Sequence, residues 1–194
     1  MNLQEMDRIT LGKLIPTGED APRVTEETAP YWCIRAENGD VNAQYQVGCF
    51  LVEHYPDKWA ADIERYFHMA ADSDAGHGPA CFALGKWKLR GNPKHAPKAI
   101  EWLESAQSDG ILEAAELLGI CYAKGIGVQA DPEKAETHFV LFGKNGDGEA
   151  KLSLALRYKR GDCLPKRVDE AQYWLGRAEK AGVLDAEQRF NAAE

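Results

Sequence analysis

The sequence predicts an all-α protein, an array of about four helix–loop–helix repeats with a half-repeat cap in front. Three observations predict it. An alanine opens a helical pattern at Ala43, Ala80, Ala114, Ala150 and Ala186, at spacings of 37, 34, 36 and 36 residues. Five residues after the alanine stands a small residue (Gly48, Gly85, Gly119 or Ala155), and four after it an aliphatic one (Val47, Leu84, Leu118 or Leu154). Eleven residues after it, Gly91, Gly125 and Gly161 end the first helix, because glycine enters the left-handed region without a Cβ clash.

Bulk properties fit a folded chain. With 194 residues, 44% hydrophobic and 28% charged, it is long enough for one domain or one short solenoid. A net charge of -8 argues against binding a phosphate backbone and suits a basic partner. Residues 1–14 carry Glu5, Asp7, Arg8 and Lys13 and build no apolar signal region, and no run is long and apolar enough to span a bilayer, so the expected location is cytoplasmic. The five cysteines (Cys33, Cys49, Cys81, Cys121, Cys163) never form a C-x-x-C pair and read as small buried hydrophobes in a reducing compartment.

Taken in order, residues 1–26 form an arm without a repeat. Its apolar residues Ile9, Leu11, Leu14 and Ile15 leave open whether it is a loose leader or folds back on the array. The array occupies 27–194. Pro30 fits a first helical turn and Asn38-Gly39 a helix stop, so this segment reads as the second half of a repeat and serves as the cap. Repeats follow near 43–79, 80–113, 114–149 and 150–185, and a short helix begins at Ala186. A small residue five after the alanine lets the two helices of one hairpin approach closely. Second helices are marked by Ala99, Ala135 and Ala171 with a ring three residues on (Trp102, His138, Trp174), and they close at Gly110, Gly146 and Gly182. In the third repeat the second helical pattern is expected to stop at Gly143 to Gly146. The first repeat is the least regular, with His54 and Ile63 in place of the glycine and alanine.

The stretch LGICYAKGIGVQADPEKA at 117–134, with ALGKWKLRG at 83–91, ALRYKRG at 155–161 and the segments WLESAQSDG and WLGRAEKAG, resembles the Sel1-like repeat, a tetratricopeptide-related class. The resemblance covers about residues 36–186. It implies a right-handed α-solenoid used as a protein-binding scaffold. Paired cysteines in each repeat mark the secreted branch of that family, and this sequence lacks them.

Chemical motifs are sparse. Gly125-Ile126-Gly127 follows a helix and lacks a third glycine, so it is a helix stop and not a nucleotide loop. His54, His68, His77, His95 and His138 show no recognised ligand spacing, although His68 and His77 would approach one another at the irregular first junction. No serine or cysteine sits in a nucleophile motif, and Asp131-Pro132-Glu133 reads as a helix N-terminus. Trp32, Trp59 and Trp87, like Trp102 and Trp174, do not make a base-stacking platform on an acidic chain. No cofactor, metal or catalytic residue is expected.

The resemblance places first helices along a concave groove. Positions one before, two, six and nine after the leading alanine would then face a partner, in the last three repeats Pro79, Phe82, Lys86, Leu89, then Glu113, Glu116, Ile120, Ala123, then Glu149, Leu152, Leu156, Lys159. With Tyr45 of the first repeat, which also contributes Asn42, Cys49 and Val52, the expected apolar contacts are Tyr45, Phe82, Leu89, Ile120, Leu152 and Leu156, oriented by Lys86, Glu116 and Lys159. Curvature that buries these residues between adjacent first helices, or the arm lying over them, is the competing expectation. The function that follows is non-enzymatic binding of a protein, as a bacterial adaptor or an immunity-type inhibitor of a toxin or effector, with no nucleic acid or membrane partner. A hydrolase with its site at the first junction and a self-assembling array are the alternatives, and oligomeric state is open.

Overall fold

A computed structural model describes residues 23–73, 76–90 and 96–193. Most of the arm expected over residues 1–26, together with Gly91 and His95, lies outside the described residues. Among the described residues there are ten α-helices and no strand: α1 Ala29–Glu37, α2 Val41–His54, α3 Ala60–Ala71, α4 Gly78–Arg90, α5 Ala96–Ser108, α6 Leu112–Lys124, α7 Pro132–Asn145, α8 Gly148–Arg160, α9 Val168–Lys180 and α10 Ala186–Ala192. The chain divides into two compact units, Met1–Leu84 and Gly85–Glu194, with the division inside α4.

In the first unit, α1 packs on α2 and α2 pairs with α3. Pro30 lies in the first turn of α1, whose C-cap is Asn38, and Gly39 takes φ +91°, as a helix stop requires. The leading alanines explain themselves once the caps are seen. The Ala43 N–H donates to Asp40 Oδ1 at 2.9 Å, the Ala80 N–H to His77 Nδ1 at 3.1 Å and, in the second unit, the Ala150 N–H to Asp147 Oδ1 at 3.0 Å. Each alanine is thus the third residue of its helix, buried where only a small side chain fits.

In the second unit the close pairs are α6 with α7 and α8 with α9, while α5 packs on α6 and α7 on α8. Asp131 caps α7 by accepting from the Glu133 and Lys134 N–H groups. Gly125 and Gly161 end α6 and α8 in the left-handed conformation, at φ +67° and +76°. The connection that follows is closed by the same backbone bond in both repeats, from the Asp131 N–H to the Tyr122 carbonyl (2.9 Å) and from the Arg167 N–H to the Tyr158 carbonyl (3.1 Å).

The small residue in the first helix acts as a socket. A Cβ added to Gly48 would lie 2.5 Å from the Phe67 ring, one on Gly85 2.8 Å from Leu103, and one on Gly119 2.9 Å from Phe139. The side chain that fills each socket therefore stands four residues into the second-helix pattern. The expected ring, one residue earlier, is less central: Trp174 is buried, but Trp102 and His138 are only half-buried. The stop expected at Gly143 to Gly146 falls at its far end, since α7 runs through Gly143 to Asn145 and a Cβ on Gly143 would meet Leu154 at 2.6 Å. It is a point of close approach between α7 and α8 and not a stop. Gly146 does close α7, in an extended conformation at φ -77°, ψ -179°.

Candidate protein-binding surfaces

The position two after the leading alanine faces the next first helix, which the phase of the repeat alone does not reveal. Tyr45 on α2 sets its ring 5.1 Å from that of His77, the cap of α4, and 6.2 Å from Phe67. Burial, with the Cys49 thiol beside its hydroxyl, pushes the Tyr45 pKa up to about 12. Glu116 on α6 accepts from Arg157 of α8 at 2.8 Å and from Ser153 at 3.5 Å. Leu152, at the same position of α8, is fully buried, where a solvent-facing groove residue was expected. The reason is the last helix: α10 packs on α8 as a further first helix would, burying Ala186 and Phe190. Phe82 is half-buried in α4.

Glu116 and Lys159, both expected polar contacts, are used internally. Glu116 is held by Arg157, whose side chain is only 15% exposed and whose guanidinium lies 4.5 Å from the Phe139 ring. Lys159 donates to the Phe190 carbonyl of α10, with its ammonium 4.6 Å from that ring's centre. Glu149 receives both Nη atoms of Arg189, at 2.8 and 2.9 Å. Such pairs stitch α6, α8 and α10 together, and the sequence carries no signal for Arg157 and Arg189 as partners of Glu116 and Glu149, because their phases in the repeat differ.

What stays accessible is narrower. In the second unit Lys86 is exposed, and Leu89 on α4, Ile120 on α6 and Leu156 on α8 are half-buried. These occupy positions six and nine of the repeat. Leu118, Leu152 and Leu154 of α6 and α8 are buried, while Leu112 and Leu117 of α6 are half-buried.

Among the described residues His68, His77 and His138 each make local contacts. His68 lies along its own helix between Glu64 (3.7 Å) and Asp72 (3.5 Å), while His77 Nδ1 is occupied as a cap. His138 stacks on Tyr122, with centroids 5.3 Å apart and rings 9° from parallel, and its Nδ1–H donates to Gln107 Oε1 at 2.8 Å. Burial pulls its pKa below the ordinary histidine value, against the carboxylate of Glu104 and together with the Lys134 charge. Among the described residues no three His, Cys, Asp or Glu side chains are grouped to hold a metal ion. All five cysteines are free, and no helix among the described residues is long and apolar enough to cross a membrane.

Two features lay outside the sequence reading. One is a cavity of about 240 Å³ in the first unit, lined by Cys33, Phe50, Tyr55 and Trp59 among others, where the Tyr55 hydroxyl donates to Glu26. The other is an open cleft beside α9, taken up below.

Comparison with known proteins accords with these geometries. A family model described as Sel1 repeat matches residues 78–109, 112–147 and 148–183. The Sel1-repeat-containing protein YjcO of Escherichia coli is 32% identical over 155 residues, covering 76% of this chain and 68% of that protein. Chitin synthase regulatory factor 3 of Schizosaccharomyces pombe is 32% identical over 93 residues, 46% of this chain, and there the matched stretch is 10% of the relative's length. Among solved structures, a Sel1 repeat protein from Oxalobacter formigenes superposes with a TM-score of 0.67 at 26% identity, covering 87% of this chain and 70% of that one. Proteins built from this repeat generally mediate protein–protein interactions on a scaffold-like fold. Sockets, caps and loop closures recurring at the period of the matched repeats lead to one conclusion: the chain belongs to the Sel1 repeat family and has its α-solenoid fold.

Proposed function

We propose that the chain is a non-enzymatic binding protein that docks a protein partner on the row formed in the second unit by Leu89, Ile120 and Leu156, with Lys86 at its edge. The carrying observation is the partial exposure of these three aliphatic side chains at positions six and nine of the repeat, while Leu84, Leu118, Leu152 and Leu154 of the same helices are buried. Full burial of such a side chain is worth about 1.5–3 kcal/mol, and the part of each that remains in water is what a partner can recover. Tyr45 and Phe82, half-buried in the first unit, are a separate aromatic candidate contact. As an adaptor, or as an immunity-type inhibitor covering a toxin or effector, the chain would gain from its net charge of -8 in steering onto a basic partner.

The test is affinity capture with the intact chain and with an Ile120→Glu, Leu156→Glu variant whose helicity is checked by circular dichroism. Each captured protein is then purified and titrated against both. A partner that binds the intact chain directly and the variant at least about tenfold more weakly supports the row, since two buried carboxylates would lack partners. Equal binding by both sinks the assignment. A concentration-dependent mass in solution, abolished in the variant, would instead make the row a contact between copies of this chain.

A further inference from the structure

We propose that the cleft between the start of α8 and the outer face of α9 is a docking site for an acidic peptide segment of a protein partner. This surface is separate from the Leu89–Ile120–Leu156 row, and the inference does not depend on that row.

The cleft is open, spans about 590 Å³ and is lined by Lys151 of α8 and by Gln172, Tyr173, Gly176, Arg177 and Lys180 of α9. Three of its lining residues are cationic and none is acidic, on a chain whose net charge is -8. Elsewhere Arg35, Arg65, Arg157, Arg167 and Arg189 each pair with a carboxylate. Among the described residues no ion pair ties Lys151, Arg177 or Lys180 to one. Arg177 Nη1 instead donates to the Tyr173 hydroxyl at 3.1 Å, and its guanidinium lies 5.9 Å from the Tyr173 and Trp174 ring centres. These contacts orient the fork while leaving its remaining donors for a ligand. Lys151 donates to the Gly146 and Asp147 carbonyls, which use two of its three ammonium hydrogens.

Gly176 supplies the second observation. A glycine inside a helix costs about 0.5–1 kcal/mol against alanine and leaves the helix surface bare for a close approach. Gly48, Gly85, Gly119 and Gly143 each meet a neighbouring side chain within 3 Å of a would-be Cβ. Gly176 meets nothing within 4 Å. At the same repeat position the other second helices carry His68, Glu104 and Val140, so the repeat does not demand glycine there. The bare floor, flanked by Tyr173 at 54% exposure, admits the backbone of an extended segment. Carboxylates of that segment would reach Arg177 and Lys180 in charge-assisted hydrogen bonds. A short peptide feels mainly the local cations, because the screening length is about 8 Å at physiological salt. A nucleic acid or an anionic bilayer is longer than that and meets the acidic remainder of the chain.

The probe is the acetylated, amidated hexapeptide Glu-Glu-Asp-Glu-Glu-Asp, titrated into the isotope-labelled full chain and followed by amide chemical shifts. Saturable shifts centred on Tyr173, Gly176, Arg177 and Lys180, weakening as salt rises, are expected. An Arg177→Glu, Lys180→Glu variant should lose at least about tenfold in affinity. Gly176→Leu should lose as much without a fall in melting temperature, because a Cβ there meets nothing within 4 Å and leucine is the better helix former. The proposal is overturned by any of four results: no saturation, unchanged affinity in both variants, the same shifts with a lysine hexapeptide of equal length, or saturation by inorganic phosphate, an oligonucleotide or phosphatidylserine vesicles but not by the peptide.

Discussion

Cys163 sits with φ +61°, the sole non-glycine residue with positive φ among the described residues. It stands 36 residues after Gly127, which takes φ +76° in the preceding repeat. The left-handed region brings Cβ against the following carbonyl and costs about 1–2 kcal/mol for most side chains. The Cys163 thiol makes only a 3.4 Å contact to Asp162 and is half-buried, so little holds it there. Cys163→Gly should therefore raise the unfolding free energy by about 1 kcal/mol in urea titration; a decrease would mean that the thiol contributes packing that the contact distance does not reveal. The positions were legible from phase alone, since Gly125 and Gly161 end their helices in the left-handed conformation expected of them. The conformation of Cys163 was not, because a cysteine carries no turn signal.

At the scale of the helix pair, a glycine means different things according to what faces it. Gly119 receives the Phe139 ring, with three ring atoms 2.9–3.0 Å from a would-be Cβ, and α6 and α7 cannot separate without losing that contact. Gly119→Ala should cost about 1–3 kcal/mol as the ring is pushed from its socket. Gly176→Ala, with open space, should gain about 0.5–1 kcal/mol from helix propensity. Thermal melts of the two variants check the opposite signs together. Periodicity located the small residues and marked the second helices by the conspicuous rings Trp102, His138 and Trp174, but did not pick out Leu103 and Phe139, which fill the sockets. Large aromatic residues stand out in a sequence, whereas depth of burial depends on a rotation of about 100° per residue around the helix. The same uncertainty assigned Leu152 to an open face that α10 in fact covers.

Across the molecule, α10 seals the surface of α8 through Phe190, Ala186 and Ala193, and through the Arg189–Glu149 and Lys159–Phe190 contacts. Deleting residues 184–194 should lower stability by about 2–3 kcal/mol, chiefly from the Phe190 ring, and expose an apolar strip that promotes self-association. Denaturation together with light scattering reads both effects; an unchanged melt would show that α8 closes over its own surface. Repeat identity, helix order and caps could be read from the chain because they depend on residues a few positions apart. The ion pairs between first helices and the basic cleft could not, since they join residues such as Glu116 and Arg157 that only folding brings together. Each socket and its knob, by contrast, lie within one stretch of sequence: Gly119 with Phe139, Gly85 with Leu103. A gene segment copied or excised in register at 36 residues carries lock and key together, so the array can change length by recombination without leaving either half of that contact unmatched.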